Sequence, residues 1–104
     1  MSFLDLFKKT DINKGVCECK KQRGVLLDVR TEEEYACGKI PESVNIPLQN
    51  ITFAEHMLPD KGASIFVYCQ SGARSMYAAG FLRSKGYAKV ENIGGIEDYD
   101  GEII

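Results

Sequence analysis

Apolar positions in this chain come in short runs whose spacing alternates between helical and strand-like. Phe3, Leu4, Leu6 and Phe7 give residues 1 to 9 an amphipathic lead-in that is expected to pack on the domain. Thr10 or Asp11 can cap a helix running to about Lys21, on which Ile12, Val16 and Cys19 recur at i, i+4 and i+7 as one apolar stripe. Gly24 breaks that pattern. Val25 to Val29 is then a nearly continuous apolar run of strand length, as suits a strand covered on both faces. Thr31 is placed to cap a helix over Glu32 to Cys37, with three acidic residues in its first turn and Gly38 at its end. Ile40-Pro41 and Ile46-Pro47 bracket an extended Ser43–Ile46 segment, because a residue preceding proline avoids the helical region. A short helix over Ile51 to Leu58 and a turn at Pro59 to Gly62 lead into a second apolar strand, Ser64 to Tyr68. The spacing of Ala78, Phe81 and Leu82 predicts a helix from about Ser75 to Lys85, closed by Gly86. Lys89 to Ile93 is a last strand, Gly94-Gly95 a turn, and Ile96 to Tyr99 one helical turn.

Strands alternating with helices predict an α/β fold with a small, mostly parallel central sheet and helices on both faces. At 104 residues the chain is expected to be one domain. The net charge of −2 and the pI near 5.4 give no reason to expect nucleic acid or a membrane as partner. No apolar run approaches the roughly 20 residues of a membrane span, and the amino terminus lacks the pattern of a secretory signal. The expectation is therefore a cytoplasmic protein whose four cysteines, Cys17, Cys19, Cys37 and Cys69, are reduced. A monomer is expected.

One segment carries candidate chemistry. Cys69 follows a buried strand directly, and a helix begins a few residues later, at the sheet edge where open α/β folds bind ligands. Ser71, Gly72 and Ala73 are small, so backbone N–H groups can turn inward. With the helix N-terminus they form an anion cradle, to which Arg74 adds a charge and a fork of donors. Such surroundings favour a thiolate over a thiol, and a thiolate is a nucleophile. The same cradle would stabilise a persulfide anion, for which the sparse loop leaves space. A lone cysteine in a strand-to-helix turn is also commonly just a small buried apolar residue, and the spacing alone leaves both readings open.

The loop Cys69-Gln70-Ser71-Gly72-Ala73-Arg74-Ser75 resembles the C-x-x-G-x-R-S active-site loop of the rhodanese family. Leu26-Leu27-Asp28-Val29-Arg30 with Glu33-Glu34-Tyr35 is similar to that family's first signature. Gly38-Lys39-Ile40-Pro41 and Val44-Asn45-Ile46-Pro47 resemble its G-H-I-P segment and following strand, and Gly94-Gly95-Ile96-Glu97 its C-terminal signature. The matches lie in the family's order over about residues 24 to 99. The resemblance implies a rhodanese fold and transfer of sulfane sulfur from thiosulfate or a persulfide donor to a thiol or cyanide, through a persulfide on Cys69. Gln70, Ser71, Gly72, Ala73, Arg74 and Ser75 would bind the substrate, with no metal or organic cofactor. Related phosphatases carry one more residue between cysteine and arginine; the C-x4-R spacing here favours sulfur. Retention of Cys69 and Arg74 argues against a purely protein-binding module. Lys39 replaces the family's usual histidine, and Tyr99 stands where tryptophan is usual.

Other residues carry less. Arg30 is expected to pair with Glu33 or Glu34 and Asp28 to anchor nearby backbone, both in structural roles. Cys17 and Cys19, two apart on a helix, point about 200° apart and cannot easily share a metal ion; Cys19 is expected in the core and Cys17 partly exposed. Cys37 is expected to fill a helix C-terminus, with a sulfur-relay or redox role as the alternative. His56 is expected at the surface.

Overall fold

A computed structural model describes residues 10–104; the expected packing of Phe3, Leu4, Leu6 and Phe7 lies outside them. Helix α1 spans Ile12–Gln22 and is capped by Asp11, whose carboxylate accepts from the amides of Asn13 and Lys14. Strand β1 is Val25–Asp28, helix α2 Glu32–Cys37, and strand β2 only Val44–Asn45. The short helix expected at Ile51 to Leu58 is instead a 3-10 segment, Leu48–Phe53, running into α3, Ala54–Met57. Pro47 fixes its extended entry. Strand β3 is Ser64–Cys69, helix α4 Ala73–Ser84, strand β4 Lys89–Gly95, and a last 3-10 turn covers Ile96–Asp98.

The four strands are ordered β2-β1-β3-β4, and every pairing is parallel. Gly94 and Gly95, expected as a turn, extend β4 instead: Val67 pairs with Asn92 but Tyr68 with Gly94, so Ile93 is the extra residue of a bulge.

Strand alternation decides which side chains reach which face. Ile65, Val67 and Cys69 point to one side, where they meet Leu27, Val29, Ala78, Ala79 and Leu82. Phe66 and Tyr68 point to the other, against Ile12, Val16, Cys19 and Ile93. The same period of two therefore places Cys69 on the α4 side of the sheet, next to the start of the helix that follows it.

Arg30 does not pair with Glu33 or Glu34. It is buried, and its guanidinium grips Asp28: Nε donates to both carboxylate oxygens and Nη2 donates to Oδ2 at 2.7 Å. Nη2 also donates to the Gly38 carbonyl at 2.6 Å. Asp28 is nearer than the glutamates because it ends β1 two residues earlier, where its Oδ1 also accepts from the Arg30 amide at 2.8 Å. The anchoring role expected of Asp28 is thus present. Among the described residues no buried side-chain nitrogen or oxygen lacks a partner.

Candidate active site

β3 delivers Cys69 to the rim of the sheet with its side chain 1 % exposed. The chain then turns through Gln70 and Ser71 to Gly72. Gly72 has φ +106°, a conformation that a side chain would strain, and it serves as N-cap of α4. The helix begins at Ala73, two residues before the expected Ser75, so Arg74 and Ser75 belong to its first turn. This tight reversal folds the loop around the sulfur. The Gly72 amide donates to Cys69 Sγ at 3.0 Å and the Ser75 amide at 3.4 Å. Ser75 Oγ lies 3.5 Å from the same sulfur.

Burial acts to raise the Cys69 pKa, but the hydrogen bond with the Ser75 side chain and those from the amides of Ser75, Gly72 and Ser71 outweigh it. The net result is a thiol held below its ordinary value. The loop donors carry this shift.

Two residues outside the loop hold it in shape, and sequence reading missed both. Asn92 on β4 receives the Gly94 amide and the Ser75 hydroxyl on its Oδ1, at 3.1 and 2.6 Å, and donates from Nδ2 to the Gly72 carbonyl at 3.3 Å. Its only signal was a polar residue just before the buried end of β4, Ile93 to Gly95. The second is Glu34. Arg74 does not turn its fork toward the loop: Nη1 and Nη2 donate to Glu34 Oε1 and Oε2 at 2.7 and 2.9 Å, a bidentate pair. Glu34 is itself fixed by a capping box, since Oε1 accepts from the amide and hydroxyl of Thr31, both at 3.1 Å. The Arg74 guanidinium, backed by Thr31, holds the Glu34 carboxyl down to about 2.

The remaining loop residues have distinct places. The Gln70 carbonyl accepts from the Glu97 amide at 3.2 Å. Behind it stands Gly95, where a Cβ would collide with the Gln70 carbonyl, so only glycine allows this approach. Ser71 and Ala73 are exposed. The structure thus gathers Cys69, Gly72 and Ser75 around one sulfur and turns Arg74 to Glu34.

Cys37 is the last residue of α2, at the helix C-terminus as expected, and is exposed; Cys17 is exposed and Cys19 buried, as expected. His56 is exposed, as expected. Lys39 lies over the Tyr35 ring at 5.0 Å, and Tyr99 packs partly buried against the α1-side core. No group of three or more His, Cys, Asp or Glu among the described residues could hold a metal ion, and no helix among them is long and apolar enough to cross a membrane.

The family model for the Rhodanese-like domain matches residues 11–102. A sulfurtransferase of Allochromatium vinosum is 38 % identical over 71 residues, 68 % of this chain and 65 % of that protein. The thiosulfate sulfurtransferase PspE of Escherichia coli is 37 % identical over 73 residues, 69 % of this chain and 70 % of PspE. Among solved structures, a rhodanese with anions from E. coli superimposes with a TM-score of 0.72 at 33 % identity, covering 78 % of this chain and 96 % of that one.

Proposed function

The chain belongs to the rhodanese-like domain family, and from that membership we propose that it is a sulfurtransferase carrying sulfane sulfur on Cys69. The observation that carries the proposal is the convergence of the Gly72 and Ser75 amides on the Cys69 sulfur. These donors are fixed by the fold before any substrate arrives, so they stabilise charge on sulfur without reorganisation. The Cys69 thiolate attacks the sulfane sulfur of a donor. With thiosulfate, the S–S bond of the donor breaks, sulfite leaves with the bonding pair, and Cys69–S–S⁻ forms. With an organic persulfide, a thiolate leaves instead. The terminal sulfur then passes to cyanide, as thiocyanate, or to an acceptor thiolate, as a new persulfide, and the Cys69 thiolate returns. Each half is a displacement at sulfur and needs no metal or organic cofactor.

Gly72, Ala73 and Ser71 leave the outer sulfur room, and the amides from Gln70 to Ser75 form the wall around it. Arg74 stands at the mouth of this cradle and adds whatever charge its pairing with Glu34 leaves. One domain over residues 1–104, acting as a monomer, suffices, because the donors to the Cys69 sulfur come from the chain's own loop. A reducing cytoplasmic setting suits the chemistry, since all four cysteines are free in the structure.

Intact mass after incubation with thiosulfate, and separately with glutathione persulfide, tests the proposal. Wild type should gain the mass of one sulfur atom, lose it on adding cyanide, and show no gain as Cys69→Ser. A folded wild type that gains nothing from either donor would overturn it.

A further inference from the structure

Arg74 stands in the first turn of α4, next to Ser75, whose amide donates to the Cys69 sulfur, yet the fork of that arginine is occupied by Glu34. Glu34 is not free to swing away: Thr31 grips Oε1 through its amide and its hydroxyl, and the carboxylate belongs to the capping box of α2. The pair is about one-third exposed, at 36 % for Arg74 and 32 % for Glu34, so solvent and small solutes reach it. The cation nearest the reactive sulfur thus reaches the substrate already neutralised. What remains for an anion is a set of neutral amides, well suited to one charge on sulfur and poorly to two or three charges at once.

We propose that Glu34 is the residue that sets the charge class of the sulfur donor, by tying up Arg74 and so turning the site away from doubly charged thiosulfate and toward singly charged organic persulfides. This rests on the sulfurtransferase reading above. In the thiosulfate reaction, the Cys69 thiolate meets a dianion, and three negative charges share the transition state before sulfite departs. In the persulfide reaction, Cys69–S⁻ and R–S–S⁻ give Cys69–S–S⁻ and R–S⁻, with two charges throughout. The first needs a free cation far more than the second. A persulfide also has an organic part to place. Beside the ion pair lies a cavity of about 290 Å³ lined by Val29, Thr31, Pro47, Leu48, Gln49 and Arg74. Arg74 is the one residue it shares with the active-site loop, and Val29, Pro47 and Leu48 give it an apolar side against which the organic part of a persulfide could rest.

The test is the rate at which Cys69 gains one sulfur, followed by intact mass, from thiosulfate and from cysteine persulfide, whose ammonium and carboxylate cancel and leave one net charge. Wild type is compared with Glu34→Gln and with Glu34→Gln/Arg74→Ala. Glutamine keeps the shape of glutamate and its capping-box contacts with Thr31 but drops the charge, and a melting curve checks that each variant is folded. Glu34→Gln should raise kcat/KM for thiosulfate about fivefold, the worth of one partly exposed charge pair. It should raise the ratio of thiosulfate to persulfide loading by a similar factor, and the gain should vanish in the double variant. A thiosulfate rate unchanged or lowered in folded Glu34→Gln would overturn the proposal, as would an equal gain with both donors or a gain that survives the loss of Arg74. If neither donor loads wild type or any variant, the sulfurtransferase reading falls and takes this proposal with it; if persulfide loads Cys69 and only the Glu34 effect is missing, that reading stands and this one falls.

Discussion

Cys19 and Cys69 are buried to nearly the same degree, 5 % and 1 % exposed, on opposite faces of one sheet. Burial pushes both thiols toward the neutral form. On the α1 side nothing opposes it: the Cys19 pKa is raised to about 11, chiefly by burial, with a further push from the Glu42 carboxylate. At the end of β3 the same burial is overcome, and Cys69 lies below its ordinary value, because the backbone reverses around the sulfur and aims N–H groups at it. A sulfur facing apolar side chains is packing; one facing backbone donors is a reagent. What separates them is the direction of a few amides, set by a glycine N-cap and a strand end.

The sharpest way to break this comparison is to remove each sulfur in turn. Cys69→Ser should lower sulfur transfer to cyanide at least about 1000-fold, the scale of losing a nucleophile. Cys19→Ser should change it by less than about twofold in steady-state assays. Equal losses would show that burial, rather than the loop, distinguishes them. Next in size is alkaline stability. Cys19 stays protonated in the fold up to about 11, while in the unfolded chain it ionises near 9. Above pH 9 the unfolded state therefore binds fewer protons, and stability falls by about 2 kcal/mol as pH rises from 9 to 11. Urea denaturation across that range should show the fall, and Cys19→Ala should flatten it. Cys69 has the opposite sign: its lowered pKa adds stability as pH rises through its folded value toward 9. The smallest effect expected is that of Ser75→Ala. Losing the Ser75 side-chain contact with the sulfur, worth about 1 kcal/mol, should move the pH midpoint of Cys69 alkylation by iodoacetamide upward by about 0.7. An unmoved midpoint would leave the loop amides alone responsible.

The sequence made the loop legible because its residues are adjacent: a cysteine after an apolar strand, small residues, then a helix. The fold class was legible for the same local reason, as apolar runs alternating with helical stripes. What did not show were partners made by long-range contacts. Arg74 pairs with Glu34, forty positions earlier in the chain, and no local spacing marks that carboxylate as its partner. Asn92 braces the loop from a strand whose bulge sets its register, and no periodicity announces a bulge. The start of α4 was read two residues late because Ala73 and Arg74 look like loop residues until the Gly72 cap is seen.

The order of the strands has a consequence for life at high concentration. An open sheet offers two unpaired margins on which a second chain can add a strand and begin a fibril. Here one margin is β2, only two residues long, with Pro41 and Pro47 close on either side and the Asn45 side chain folded back onto the carbonyls of Asp28 and Arg30. The other is β4, where Lys89 and Glu91 are exposed charges, the bulge spoils a straight template, and Arg83 of α4 occupies the Val90 carbonyl at 2.9 Å. The sheet that presents the reactive sulfur is blunted on both sides against templating aggregation.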